Sequence, residues 1–237
     1  MSHRYITPWG VFSTYDHDTV QQAIMKGEFW DQQIQPFLAE ADPSGWMLDL
    51  GANIGWFTVY GAKRFTGVIA FEAHPETFGY LRRNLVDNQV DTKVWAFNLA
   101  AYDRTTRLTL APDEFVGWPV PNPLTLEGCP HPASIAFVPT LHGDRFSVQA
   151  APVDIFVPPW MTVTCIKVDV QGCDLRALVG LTQTIRRCRP LIIFEYEGGA
   201  SQWHGDTWEK YLQFFASHNY QVTRIREDLW DYVARPN

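Results

Sequence analysis

No run of roughly 18–20 apolar residues occurs in the chain, so no segment is predicted to cross a bilayer as a helix. The opening residues MSHRYITPWG lack the apolar stretch of a secretory leader, and a cytoplasmic location is expected. Cysteine is scarce: Cys129, Cys165, Cys173 and Cys188 form no CxxC pair, which fits free thiols in a reducing compartment. Basic residues are also outnumbered, with 19 Lys and Arg against 26 Asp and Glu. Without a Lys/Arg stripe, a nucleic-acid backbone is not an expected partner. Arg82-Arg83 and Arg186-Arg187 with Arg189 fall on predicted helices as solvated faces. No His/Asp/Glu spacing marks a metal site, and no GxSxG or Cys–His arrangement marks covalent catalysis.

What is present is a single α/β pattern. A length of 237 residues suits one large domain and is short for two. Residues 1–45 are read as an N-terminal cap segment. Trp46–Leu50 is an apolar strand, and Ile54, Phe57, Thr58, Gly61, Ala62 and Phe65 recur at helical spacing behind it. Val68–Glu72 is the second strand. Pro75 opens a helix with Phe78, Leu81 and Leu85 as its buried stripe, and Thr92–Leu99 is the third strand. Strands alternating with helices imply βαβ units, a mainly parallel sheet and ligands beyond the strands' carboxyl ends.

Prolines at 112, 119, 121, 123, 130, 132 and 139 then exclude a long helix or central strand. Residues 107–160 are therefore expected to hold short edge strands, Arg107–Leu110 and Gln149–Val157, around a lid-like insertion rich in aromatics. The parallel pattern resumes at Val163–Val170. One helix carries Leu175, Leu178, Val179 and Ile185, and Leu191–Phe194 is another strand. Asp206 with Glu209 reads as an acidic helix cap, followed by a stripe of Trp208, Tyr211, Leu212 and Phe215. Gln221–Ile225 and Trp230–Ala234 form a terminal hairpin.

The chemistry concentrates in Asp49-Leu50-Gly51-Ala52-Asn53-Ile54-Gly55, where a buried strand gives way to a helix. Glycines there permit a tight turn, and the helix end offers free N–H groups. Asp49 could accept bonds from an ammonium group or orient the loop. Seventeen residues beyond Gly55, Glu72 ends the second strand, where an acid can accept both hydroxyls of a ribose. Together they indicate an adenosine-containing cofactor. The loop lacks the GxGxxG spacing of a pyrophosphate site, and no Tyr has a Lys four positions on. A cofactor without phosphates fits better than NAD(P), although an NAD(P)-dependent oxidoreductase stays as the alternative class.

Five segments in order, DLGANIG (49–55), FEAHP (71–75), NLAAYD (98–103), IKVDVQGCDLRALVGL (166–181) and RPLIIFEYE (189–197), resemble the FkbM-type methyltransferases. Gly27-Glu28-Phe29-Trp30 is similar to the segment upstream. The resemblance implies a class I methyltransferase fold: a seven-stranded, mostly parallel sheet closing with an antiparallel hairpin. It implies S-adenosylmethionine as cofactor, with Gly51, Asn53 and Gly55 at the methionine end, Glu72 at the ribose and the 98–101 turn near the adenine. The expected cofactor-binding set is Asp49, Gly51, Ala52, Asn53, Gly55, Glu72, Ala73, Asn98, Ala100, Ala101 and Asp169. The family's KxDxEGxE run departs here at Gln171, which has no charge, and at Asp174, a shorter acid.

Methyl transfer gains most from alignment and exclusion of water, and a hydroxyl or ammonium acceptor must also lose a proton. Asp169 is the first candidate base, with Glu195 and Glu197 next; His131 and His142 could reach an acceptor from the insertion. The expected activity is O-methylation of a small metabolite or sugar hydroxyl, with N-methylation as its close variant. The oligomeric state is not set by any of these features.

Overall fold

A computed structural model describes residues 2–15, 19–112, 135–138 and 147–237. The N-terminal segment forms a hairpin, β1 (Ser2–Thr7) and β2 (Gly10–Tyr15), then helices α1 (Thr19–Lys26) and α2 (Gln35–Glu40). The alternating part follows: β3 (Trp46–Leu50), α3 (Trp56–Arg64), β4 (Gly67–Phe71), α4 (Pro75–Asp87) and β5 (Val94–Phe97). Four strands come next: β6 (Ala100–Ala101), β7 (Thr106–Pro112), β8 (Ile135–Val138) and β9 (Ser147–Ala151). The chain continues through β10 (Val163–Val168), α5 (Asp174–Val179), α6 (Thr182–Cys188) and β11 (Leu191–Glu195). Helices α7 (Gly198–Trp203) and α8 (Trp208–Ser217) precede β12 (Tyr220–Arg224) and β13 (Asp231–Pro236).

Seven strands form one sheet in the order β12-β13-β11-β10-β3-β4-β5. From β11 to β5 neighbours run parallel, while β13 lies antiparallel to β11 and to β12. Alternation along the central strands assigns side chains to two cores. Leu48, Leu50, Ile69, Phe71, Ile166, Val168, Ile192 and Phe194 pack on the face holding α5, α6 and α8. Met47, Val68, Ala70, Cys165 and Ile193 face α3, α4 and the N-terminal segment. Both faces are buried, as a parallel sheet requires. The strand order reverses direction between β3 and β10, so the loops leaving these strands open a crevice at one sheet edge. Among the described residues, no helix is long and apolar enough to cross a membrane.

Several local expectations are corrected. Strand β7 is not an edge: it pairs with β9 and with β8 inside a separate four-stranded sheet, β6-β9-β7-β8. Strand β9 stops at Ala151 because Pro152 follows, and a 3-10 turn at Val153–Phe156 replaces the rest of the expected strand. There the Asp154 carboxylate accepts the N–H groups of Gln183 and Thr184, capping α6 from another part of the chain. The helix expected after β10 is broken into α5 and α6. At the break, a Cβ on Gly180 would lie 2.0 Å from the Tyr102 carbonyl oxygen, so only glycine fits where the chain meets that strand end. Asp206 caps nothing: it is buried and accepts two hydrogen bonds from the Arg176 guanidinium, at 2.8 and 3.0 Å. Residues 113–134 and 139–146, with Cys129, His131 and His142, lie outside the described residues.

Candidate functional site

At the carboxyl end of β3 the chain turns through positive φ at Gly51 (+81°), Asn53 (+51°) and Gly55 (+92°). Glycine is required at 51: a Cβ there would stand 1.8 Å from the Asp169 carbonyl oxygen, across the switch point. The loop is fastened by main-chain bonds, with the N–H groups of Gly51 and Ala52 both donating to the Phe71 carbonyl at 2.9 Å. Glu72 completes the grip. One carboxylate oxygen accepts the Asn53 N–H and the other the His74 N–H, each at 2.8 Å. The sequence-predicted loop and acid are thus joined by a direct hydrogen bond. Burial pushes the Glu72 carboxyl up to about 7, against the lowering effect of those two N–H donors.

The remaining predicted residues fall into three positions. The Asn98 amide donates to the carbonyls of Glu72 and Ala73, at 2.8 and 3.0 Å, and so holds the end of β4. Ala73, Ala100 and Ala101 are buried in the core, the last two paired with β9. One oxygen of Asp49 is buried with no partner among the described residues. The residue sits on the α3 face of β3, fully buried, and takes a hydrogen bond from the Thr58 hydroxyl at 2.5 Å. That bond ties the end of β3 to α3. Burial raises the Asp49 carboxyl, with Lys167 opposing.

Asp169 lies at the end of β10, beside Gly51, with both oxygens engaged. The buried Lys167 ammonium donates to one at 3.0 Å and the Gln171 amide to the other at 3.0 Å. Lys167 is the register partner of Asp49 and lies over the Phe57 ring. Burial alone would lower its ammonium, but Asp169, Asp49 and Asp31 hold it up. The same Gln171 amide reaches Glu195 at 3.5 Å. Glu195 is raised well above the ordinary carboxylate range by burial and then by the charges of Asp169 and Asp174. Both Asp169 oxygens are engaged at 3.0 Å, whereas the Gln171 contact to Glu195 is longer, at 3.5 Å.

These groups border a cleft of about 270 Å³, walled also by Trp30, Asp31, Gln33, Asp228, Trp230 and Asp231. A second carboxamide, Gln33, donates to Asp31 and to Asp231, each at 3.2 Å. Burial, then the charge of Asp169, pushes Asp31 up to about 6, and burial raises Asp231 as well. Sequence reasoning missed Asp31 and Asp231 because nothing local marks them. Lys167 had a usable signal: in a strand, residues two apart share a face, which places it with Asp169. Among the described residues, no group of three His, Cys, Asp or Glu side chains could hold a metal ion.

Comparison with known proteins agrees with this layout. A family model described as the methyltransferase FkbM domain matches residues 49–222. No curated protein matches the chain. A crystal structure of methyltransferase FkbM from Methylobacillus flagellatus KT is similar over 81% of this chain at 18% identity, with a TM-score of 0.49. The chain spans 43% of that protein's length. A putative rRNA-methylase from Clostridium thermocellum is 9% identical over 86% of this chain and 94% of its own, with a TM-score of 0.51. A putative methyltransferase from Streptococcus mutans, in complex with SAH, is 10% identical over 86% and 98%, also at 0.51. At such identities the last two likenesses show a shared fold.

Proposed function

We propose, from the premise that the chain belongs to the FkbM methyltransferase family, that it transfers a methyl group from S-adenosylmethionine to a small acceptor, at oxygen. The observation that carries this reading is the junction of the 51–55 loop with Glu72 at the point where strand order reverses. The residues fit such a cofactor. Each Glu72 oxygen keeps a lone pair beyond its one N–H donor, enough for two ribose hydroxyls. The Asn53 side-chain oxygen is buried without a partner beside the loop, an acceptor free for a ligand's donor. When bound, the cofactor supplies a sulfonium methyl open to in-line attack. The protein's part is to hold the loop, align the acceptor and exclude water. Glu195 takes the acceptor's proton, with Asp169 and Lys167 fixing the charge beside it.

A second reading, methylation of an amine, is favoured by one feature. The cleft carries five carboxylates, Asp31, Asp169, Glu195, Asp228 and Asp231, and two indoles, Trp30 and Trp230. Carboxylates and aromatic faces both attract a cationic nitrogen. The same charge opposes a polyanionic acceptor such as RNA, the substrate class named for the Clostridium protein.

Calorimetric titration tests the cofactor: S-adenosylmethionine and its demethylated product should bind, and NAD(P)H should not. Failure of both adenosyl compounds to bind would remove the reading, and tight binding of NAD(P)H alone would replace it with an oxidoreductase. A labelled-methyl assay over neutral polyols, phenols and primary amines then separates oxygen from nitrogen acceptors.

A further inference from the structure

The N-terminal hairpin is fastened to the rest of the protein by a device that no sequence motif announces. Strand β2 has one edge paired with β1 and the other turned toward α4. On that second edge, Asn88 accepts the Val11 N–H at 2.9 Å and donates to the Val11 carbonyl at 2.6 Å. One helical turn earlier, Asn84 accepts the Ser13 N–H at 2.7 Å and donates to the Ser13 carbonyl at 3.0 Å. Each carboxamide thus imitates a peptide group of a neighbouring strand. The spacing explains why this works: residues four apart on a helix rise about 6 Å, and residues two apart on a strand about 6.8 Å. The ladder leaves no room for a side chain at Gly10, whose Cβ would lie 2.3 Å from the Asn88 oxygen.

Asn84 does one thing more. Fully buried, it donates its second amide hydrogen to the Ile54 carbonyl at 2.7 Å. Ile54 lies within the 51–55 loop, one residue beyond the N–H held by Glu72. The loop is therefore gripped on opposite flanks, at the Asn53 N–H by Glu72 and at the Ile54 carbonyl by Asn84. A second contact runs in parallel: Trp9 and Phe12 of the hairpin region pack on Trp56, just past Gly55, at centroid distances of 5.7 and 4.5 Å. A non-glycine residue at positive φ, such as Asn53, persists only where its surroundings over-determine it.

We propose that Asn84 is a positioning residue for the 51–55 loop, and that the N-terminal hairpin influences cofactor affinity through it. The affinity part rests on the S-adenosylmethionine reading; the positioning part does not. The experiment combines hydrogen exchange of the cofactor-free protein with titration of SAH. In Asn84→Ala the amides of residues 51–55 should exchange at least tenfold faster, and SAH should bind about tenfold more weakly. Leu85→Ala opens a cavity on the same helix and in the same core while keeping the Asn84–Ile54 hydrogen bond. It should lower Tm while leaving both loop exchange and SAH affinity within about twofold. Asn88→Ala, milder because Asn88 is only half-buried, should speed exchange at residues 11–13 and, to a smaller degree, at 51–55.

Equal loop protection in Asn84→Ala and the parent protein would overturn the proposal. So would an Asn88→Ala variant whose hairpin opens while the loop stays as protected as before, which also covers the case of Asn84→Ala failing to fold. If the parent bound no SAH, the cofactor reading would fall, and loop exchange alone would decide the role of Asn84.

Discussion

The two halves of the crevice are built in opposite ways. At the ends of β3 and β4, a glycine turn and one carboxylate are satisfied by backbone N–H groups, all supplied by residues 49–74. At the ends of β10 and β11, carboxylates come from positions as far apart as Asp31 and Asp231, held by two bridging carboxamides and a buried lysine. The first half is close-fitting and nearly charge-neutral in its bonding, suited to a ligand held by shape and directed hydrogen bonds. The second half is crowded with like charge, which raises proton affinity and suits proton transfer or a cation. Backbone-held and charge-crowded groups are thus placed on different strands of one sheet.

The strongest challenge to that division is Gly51→Val. With φ at +81° and the Asp169 carbonyl 1.8 Å from any Cβ, the loop must be rebuilt. Calorimetry should find cofactor binding abolished, and a normally active variant would show that the first half is not rigid. Glu195→Gln probes the other half. A labelled-methyl assay should show kcat reduced by about 10²–10⁴, the usual scale for losing a general base, with SAH affinity within about twofold. If kcat held and affinity fell, the two roles would have to be exchanged.

Glu72→Ala should weaken cofactor binding by about 1–3 kcal/mol, the cost of lost charge-assisted hydrogen bonds. Unchanged affinity would take Glu72 out of the site. The smallest effect is on stability. Asp31, Glu72 and Asp174 stand at about 6, 7 and 7 in the folded protein, above their ordinary 3.8, 4.5 and 3.8. The folded state therefore binds more protons than the unfolded state between about pH 4 and 7, and their contribution, full below the unfolded values, is lost as pH rises through that window to the folded values. Thermal melts of the ligand-free protein should show Tm falling between pH 5 and pH 8. Asp31→Asn should recover part of that loss at pH 8, a smaller part at pH 5, and almost nothing below the ordinary carboxylate pKa of 3.8.

How far these halves could be read in advance follows from how each is encoded. The β3 strand, the 51–55 turn and Glu72 were legible because a buried strand, glycine spacing and a strand-end acid are local signals. Parallel alternation revealed the large sheet for the same reason. Asp206 was misread because a cap and a partner for Arg176 look alike in sequence, and only packing decides. The break between α5 and α6 falls where Tyr102 crosses Gly180, a contact 78 positions long (102 to 180). Asp231 meets Glu195 only through the sheet order, which placed β13 beside β11, and Asp31 joins them through Gln33. Asn84 was the faint clue passed over, a polar residue among the core-facing positions Leu81 and Leu85 of α4.

Gln171 has a consequence for the life of the site beyond holding its neighbours. A carboxamide does not titrate, so the hydrogens it lends to Asp169 and Glu195 stay in place at every working pH. A glutamic acid in that place would let three acids pass a proton among themselves. On the proposed reading, a proton taken by Glu195 would find no relay through residue 171 and would have to leave by another route. If Glu195 is the base, turnover should then depend on buffer and on heavy water, a dependence set by one uncharged side chain.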